Sequence, residues 1–280
     1  MAGLNDVKAR IKSVTSTRQI TKAMNLVATI KYKKSKESTE HIRLYLSELK
    51  EAVKNLYNYR VEKAYSELTV ERVTNKSLAV VISSDRGLCG AYNSSVIKSA
   101  VHGMVGKSLC VLAVGNKARE FFNKTGFELV ESYEGITDTV TYHDAGIIAH
   151  RIIDMYRAKE VDEVVVFYNK FVSTIKYDTT ELRLLPLLPE KTAGDSNYIY
   201  EPSPVDVFDT MATEYIINQI YGILLEASAS EHSSRMTSMN SATDNADKMI
   251  DELTMQYNRA RQALITNEIS EIVGGTEALK

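Results

Sequence analysis

Few side chains in this sequence stand at spacings that chemistry requires. Gly106-Lys107-Ser108 has the ending of a phosphate-binding loop, yet the glycine that should open such a loop falls at Val101, and the triplet precedes a strand pattern instead of following one. Asp85-Arg86-Gly87-Leu88-Cys89-Gly90 follows the first strand pattern, where nucleotides are often held, but it is not G-x-G-x-x-G and reads better as a tight strand-to-helix turn. The five histidines, His41, His102, His143, His150 and His232, form no pair at i, i+4; Glu231-His232 is not part of an H-E-x-x-H. Cys89 and Cys110 make neither a metal-ligand spacing nor a disulfide framework, which suits a reducing compartment. Metal binding and acid-base catalysis therefore have no positive support, and no cofactor is expected.

The elements that would position these groups change period along the chain. Between Ser77 and Pro189, β-forming runs alternate with helical ones. Strands are expected over Ser77 to Ser83, Ser108 to Val114, Glu128 to Tyr133, Glu163 to Asn169 and Val172 to Leu185, with helices over Ala91 to Val105, Lys117 to Lys124 and His143 to Ala158. Such alternation argues for a mainly parallel α/β sheet, its last two strands closing an antiparallel hairpin at one edge. Pro186 to Pro204 holds all four prolines and reads as a returning loop.

Both ends of the chain read as very long helices. No proline or glycine interrupts Leu4 to Gly87, and the first helix should run 55 to 60 residues, roughly 80 to 90 Å. Its apolar stripe is read as Leu4, Val7, Ile11 and Val14, then Ile20, Ala23, Val27 and Ile30, then Ile42, Tyr45, Leu49, Ala52 and Leu56. The last helix should start at Ser203-Pro204-Val205-Asp206, which supplies a capping hydroxyl, a proline at the first helical position and a carboxylate in the first turn. It should end at Gly274-Gly275, after roughly 100 Å. Within it, Met239, Ala242, Ala246, Met249, Leu253, Gln256, Ala260 and Ala263 make a thin, alanine-rich seam, and Ala246, Ile250, Leu253, Tyr257, Ala260 and Leu264 make a second row beside it. Periodicity alone fits packing in an ordinary bundle as well, but the length and the thin seam favour an antiparallel coiled coil with the α/β part inserted between its strands. The expected division is residues 1–76, a coiled-coil helix; 77–204, the α/β domain; and 205–280, the second coiled-coil helix.

Net charge is −2, unevenly spread: the first 36 residues carry nine Lys and Arg against Asp6, a net +8, which leaves −10 for the remainder. A basic helix on an acidic body points to an acidic partner, whether nucleic acid, lipid surface or protein, or else to a solvated lysine face. No apolar run approaches membrane-spanning length and the start lacks a signal-peptide core, so the expected place is the cytoplasm.

Three segments carry a more specific resemblance. Ile20-Thr-Lys-Ala-Met24 with Leu26-Val-Ala28, Ser83-Ser-Asp-Arg-Gly-Leu-Cys-Gly-Ala-Tyr-Asn93, and Glu231-His-Ser-Ser-Arg-Met236 through Ala242-Thr-Asp-Asn-Ala246 to Arg261-Gln-Ala-Leu-Ile-Thr266 and Glu271-Ile-Val-Gly-Gly275 resemble the gamma subunit of F-type ATP synthases, the central rotor shaft. The resemblance covers essentially the whole chain. It implies a long antiparallel coiled coil with a Rossmann-like α/β foot, turning inside a hexamer of alpha and beta subunits and resting on the epsilon subunit and a membrane ring of c subunits. It further implies contacts with beta subunits at Arg261, Gln262, Thr266, Glu268, Met24, Lys22, Asp85, Arg86 and Cys89, and contacts with the ring and epsilon at Tyr198, Tyr200 and Glu201. The implied location is the cytoplasmic face of the cell membrane, as a peripheral protein, and the implied work is coupling of proton- or sodium-driven rotation to ATP synthesis or hydrolysis, without a catalytic or metal site. Thr29-Ile30-Lys31-Tyr32 and Asn267 depart from the family's usual residues, and the redox-regulated insertion of chloroplast members is absent.

Two other classes make different predictions. A nucleic-acid-binding coiled coil would hold DNA with an affinity that falls steeply with salt. An α/β enzyme with oligomerisation helices would bind nucleotide. The rotor reading expects no heat of binding when ATP or ADP is titrated into the isolated chain, and measurable calorimetric binding would favour the enzyme.

Overall fold

The computed structural model describes residues 4–59, 66–73, 76–103, 108–188, 201 and 203–278. In chain order these form α1 (Leu4–Tyr59), β1 (Lys76–Ile82), α2 (Tyr92–Gly103), β2 (Ser108–Val114), α3 (Asn116–Thr125), β3 (Glu128–Tyr133), α4 (Tyr142–Arg157), β4 (Glu163–Phe171), β5 (Tyr177–Leu185) and α5 (Pro204–Ala278), with a single 3-10 turn at Glu67–Thr69 before β1. Two compact units result: Met1–Ala28 with Met236–Lys280, and Thr29–Arg235.

The larger unit is built on a five-stranded sheet of order β3-β2-β1-β4-β5. The first four strands pair in parallel, and β5 returns antiparallel against β4, as the short connection dictates. Val172 to Lys176, expected to begin the last strand, instead make the hairpin turn, in which the Ser173 amide donates to the Lys176 carbonyl at 2.8 Å. Because side chains alternate along a strand, each strand feeds two cores. Ala79, Val81, Val111, Ala113, Val165 and Phe167 pack with residues of α2 and α3, including Val96, Ala100, Ala118 and Phe122. On the other face, Leu78, Val80, Ile82, Leu112, Val114, Val164 and Val166 share a core with α4, with Val53 and Leu56 of α1, and with Phe208 to Ala227 of α5. Full burial of such side chains contributes about 1.5 to 3 kcal/mol each, which is why helices from both ends of the chain are held here. At the β2–α3 turn, Gly115 has φ +92°, and a Cβ on it would lie 2.4 Å from the Ser83 carbonyl oxygen, so only glycine fits.

The start of α5 is capped as its sequence suggests: the Ser203 hydroxyl accepts from the Asp206 amide at 3.2 Å. Its end differs. The helix runs through Gly274 and Gly275 to Ala278, because glycine inside a helix costs only about 1 kcal/mol and does not by itself stop one. The Thr276 hydroxyl reaches the carbonyls of Ile272 (3.0 Å) and Val273 (2.8 Å) across the glycine pair.

In the smaller unit, α1 and α5 run antiparallel, and the inward residues follow a strict alternation of three and four. On α1 these are Leu4, Val7, Ile11, Val14, Arg18, Thr21, Asn25 and Ala28; on α5 they are Met236, Met239, Thr243, Ala246, Ile250, Leu253, Tyr257 and Ala260. The expected stripe through Ile20, Ala23, Val27 and Ile30 is thereby corrected. Ile20 is 60% exposed, Val27 54% and Ile30 69%, since residues two positions out of phase with the seam lie about 200° round the helix from it. On α5 the second row, not the first, is the seam as far as Ala260, while its last expected member, Leu264, is 54% exposed; Met249, Gln256 and Ala263 of the first row stay exposed. Further along α1, in the larger unit, Ile42, Leu49 and Leu56 face inward as expected, whereas Leu46 and Val53 take the places read as Tyr45 and Ala52.

Polar rungs replace apolar ones where the apolar stripe turns outward. Arg18 Nη1 lies 2.9 Å from Asp247 Oδ1, and Asn25 Nδ2 donates to the Met236 carbonyl at 2.9 Å. The hydroxyls of Thr21 and Thr243 are 2.8 Å apart, while each also reaches a carbonyl of its own helix, Arg18 and Met239. Two hydroxyl hydrogens serve three contacts, so one threonine donates across at the expense of its own carbonyl bond. A buried polar pair costs most when half of it is removed. Thr21→Val or Thr243→Val alone should destabilise the chain by about 1 kcal/mol more than the two together, measured as a double-mutant cycle in urea unfolding.

Candidate functional site

In open parallel sheets, ligands sit outside the carboxyl ends of the strands where strand order reverses. Here that point lies between β1 and β4, and α5 fills it. From the β1 side, the Tyr92 hydroxyl donates to the Ala227 carbonyl at 3.0 Å, and the Cys89 carbonyl accepts from the Ser234 hydroxyl at 2.6 Å. From the β4 side, the Thr174 carbonyl accepts from the Ser233 hydroxyl. Asn169, buried on β4, donates to the Tyr92 carbonyl at 2.8 Å and ties the two rims together. The run of small residues from Ala227 to Ser234 lets the α5 backbone come this close, and nearly every residue from Gly222 to Arg235 is buried or half-buried.

Within this run lie three buried groups able to carry charge: Glu231, His232 and Arg235. Arg235 Nη2 is 2.7 Å from Glu231 Oε1, and Arg235 Nη1 is 3.3 Å from His232 Nδ1. The same guanidinium reaches the carbonyls of Arg86 and Gly87, each at 3.4 Å. Among the described residues, Glu231 Oε2 and His232 Nε2 have no hydrogen-bond partner. Burial pushes Glu231 up to about 7 against the pull of Arg235. Burial pushes His232 down to about 4, helped by Arg235 and Lys31. Nearby, burial acts upward on Asp138, but the Lys31 ammonium at 2.7 Å outweighs it and holds the carboxyl below its ordinary range.

The residues singled out from sequence fall into different surroundings. Arg261, Gln262, Thr266 and Glu268 are all exposed on α5, and the Thr266 hydroxyl donates to the Gln262 carbonyl at 2.9 Å. On α1, Lys22 is exposed and Met24 half-buried. Arg86 is exposed, but its neighbours are not free in the same way. The Asp85 carboxylate accepts from the Asn116 amide (3.1 Å) and the Thr137 hydroxyl (3.0 Å), holding the β1–α2 loop to two other connections. The Cys89 side chain is buried, 3.2 Å from Asn93 Nδ2, and burial pushes its thiol up, away from the reactive thiolate. Glu201 is exposed; Tyr198 and Tyr200 lie outside the described residues. Sequence reading singled out neither the bonds from Ser234 and Arg235 nor the rungs at Thr21, Asn25 and Thr243. Their signal was present: charged and hydroxyl residues inside a helix otherwise lined by small and apolar ones, and polar residues at seam spacing.

Comparison with known proteins sets this arrangement in a family. Residues 3–279 match the protein-family profile described as ATP synthase. The ATP synthase gamma chain of Halothermothrix orenii is 43% identical over 288 residues, covering all of both chains. The chain belongs to the ATP synthase gamma chain family. Another gamma chain, from Pelotomaculum thermopropionicum, is 42% identical over 285 residues, again covering both chains fully. Among solved structures, the central stalk and c-ring of the Tetrahymena thermophila mitochondrial ATP synthase contains a chain 27% identical, with a TM-score of 0.65 over 80% of this chain and 99% of that one. A chain of the Euglena gracilis mitochondrial rotor, 16% identical, shares the fold at a TM-score of 0.69, covering 94% and 98%. Family membership makes the chain a non-catalytic subunit, the gamma chain of the central rotor stalk.

For a gamma chain the buried charges matter as a stability term, and their signs oppose. Glu231, raised when folded, contributes stability that is present below about 4.5 and lost as pH rises through about 7. His232, lowered when folded, contributes stability that is present above about 6.5 and lost as pH falls through about 4. Between pH 4.5 and 6.5 the unfolded chain keeps a proton on His232 and the folded chain keeps one on Glu231, so the two slopes cancel. Glu231→Gln should therefore unmask a loss of stability on acidification below pH 6.5. His232→Gln should unmask a loss as pH rises from 4.5 to 7. Each should amount to roughly 3 kcal/mol, at about 1.4 kcal/mol per pKa unit, in urea unfolding across that range.

Proposed function

We propose that this chain turns as the shaft of an F-type ATP synthase, coupling proton or sodium flow through a membrane ring of c subunits to conformational change at the catalytic sites of beta subunits. Its partners are the alpha and beta subunits of the hexamer, the epsilon subunit and the c ring, with no role for nucleic acid. Its place is the cytoplasmic face of the membrane, held there by the complex; among the described residues no helix is long and apolar enough to cross a bilayer. Residues 1–76 and 205–280 serve as the shaft and residues 77–204 as the foot.

One observation carries the reading. From Arg261 to Thr276 every residue of α5 is exposed, yet Leu264, Ile265, Ile269, Ile272 and Val273 spread apolar surface over about half of the helix circumference. A helix of that kind belongs inside another protein's cavity. The outward apolar face of α1, Ile20 and Val27, has the same character.

Coupling needs differential contact. An off-centre shaft inside a near-threefold ring presents a different face to each beta subunit, and so biases each between open and closed states. Switching a site from 1:99 to 99:1 takes about 5.5 kcal/mol of difference. Arg261 and Gln262, with Thr266 and Glu268 beside them, supply charge-assisted hydrogen bonds at about 1.5 to 3 kcal/mol each; Lys22, Met24 and the Asp85 to Cys89 loop add contacts elsewhere, and Tyr198, Tyr200 and Glu201 face the ring and epsilon. In that loop Arg86 is the side chain available for contact, while Asp85 and Cys89 act by shaping the turn. Arg261→Ala combined with Gln262→Ala should lower ATP-driven ion pumping per ATP hydrolysed and lower torque in the assembled complex. Full coupling and torque with both changes would remove these two residues from the mechanism.

A further inference from the structure

Arg86 is not alone at the tip of the β1–α2 loop. Close by in the chain, Leu88 is 61% exposed and has φ +62°. Among the described residues the backbone also takes positive φ at Gly90, Gly115, Gly126 and Gly135, which have no Cβ to clash, and at Lys159, which makes an ordinary left-handed stop just after α4. Neither reason applies to Leu88. It follows no helix, and Gly90, two residues on in the same loop, shows the residue that such a conformation favours.

The fold enforces this conformation from both sides. Before Leu88, the Arg86 carbonyl oxygen lies 2.6 Å from Ser84 Oγ, and the carbonyls of Arg86 and Gly87 each accept from Arg235 at 3.4 Å. After it, the Cys89 carbonyl accepts from the Ser234 hydroxyl at 2.6 Å and from the Tyr92 amide at 3.2 Å. With the flanking peptide groups tied down, the Leu88 side chain is presented to solvent from a fixed base. A strained residue persists only where its surroundings over-determine it, and such outliers gather where function needs a set shape. Glycine at this position would make the same turn at less cost to the free chain. What leucine adds is an apolar knob already in place, which spares a partner much of the entropy cost of ordering it.

We propose that Leu88 is the apolar anchor by which the β1–α2 loop docks into a recess on a beta subunit, with Arg86 meeting a carboxylate at the rim of that recess. The tip itself defines this complement. One exposed apolar side chain near one exposed guanidinium fits an apolar hollow bordered by negative charge. The inference deepens the rotor reading and rests on it for the identity of the partner. That Leu88 serves an outside surface instead of its own fold follows from the chain alone.

Three variants of the full-length chain separate backbone from side chain. Leu88→Gly removes both the strain and the knob, Leu88→Ala removes the knob alone, and Leu88→Met keeps an apolar side chain of similar volume. In urea unfolding of the free chain, Leu88→Gly should raise the ratio of folded to unfolded molecules a few-fold, and Leu88→Ala should not. In competition with labelled natural chain for a limiting amount of alpha-beta hexamer, Leu88→Gly and Leu88→Ala should each bind about tenfold less well, as loss of a buried leucine side chain implies, while Leu88→Met should match the natural chain. A photoreactive diazirine analogue of leucine at position 88 should cross-link to a beta subunit in the assembled complex. A Leu88→Gly chain no more stable than the natural one would overturn the proposal, as would undiminished competition by Leu88→Gly and Leu88→Ala or a cross-link to any chain other than beta. Failure of the natural chain to enter the hexamer would instead remove the rotor reading, and the urea comparison would still decide whether Leu88 is kept for the fold or for a surface outside it.

Discussion

The structure depends on a close approach between one helix and the open end of a sheet. Over Ala227 to Arg235, α5 lies against the carboxyl ends of β1 and β4, and its side chains and backbone meet hydroxyls and carbonyls from both rims. Alanine and serine make this approach possible, and the hydrogen bonds make it specific. A doubly wound sheet of this kind normally keeps the place open for a ligand. Here the chain's own helix occupies it, and the fold has become an attachment for that helix instead of a binding site. The buried Glu231, His232 and Arg235 are a consequence of sealing a polar crevice with protein instead of ligand.

A second consequence concerns the helix pair of the smaller unit. An ordinary coiled coil puts apolar residues inside and charge outside. Around Arg18 to Ala28 the arrangement is partly reversed: the seam holds Arg18, Thr21 and Asn25, and the outer face holds Ile20, Leu26 and Val27. Hydrogen bonds between the helices substitute for part of the missing apolar contact, which fixes how the two backbones face one another but gives little net stability. The alanines at 28, 246 and 260 keep the pair slender.

Much of this was legible from the amino acids. The β runs around Leu78, Leu112 and Val166 and the amphipathic α4 were plain because local propensity and tertiary packing agree there, and β2 and β3 were bounded correctly. The Ser203 cap was equally plain, since capping is local chemistry. What was misread shares a different cause. In α1 the spacing of Ile20, Val27 and Ile30 points them at the seam, because an apolar stripe normally faces its partner within the same chain. The true seam continued in strict heptads through polar residues, and which of two candidate faces meets α5 is decided by complementarity with Thr243 and Asp247, more than two hundred positions away. Arg261 and Gln262 could be named only through resemblance, for nothing in their local pattern separates a contact residue from a solvated one. Cys89 and Asp85 illustrate the reverse: a distinctive motif proved to be partly internal scaffolding, its carboxylate and thiol turned into the loop they stabilise.

The outward apolar face has a bearing on the life of the chain before assembly. A newly made copy shows water a row of isoleucine, leucine and valine that its own fold does nothing to cover. Synthesis in excess of its companions would thus leave molecules inclined to cling to one another or to be captured by quality control. The same surface that fits the chain for a close sleeve ties its production to a balanced supply of whatever forms that sleeve.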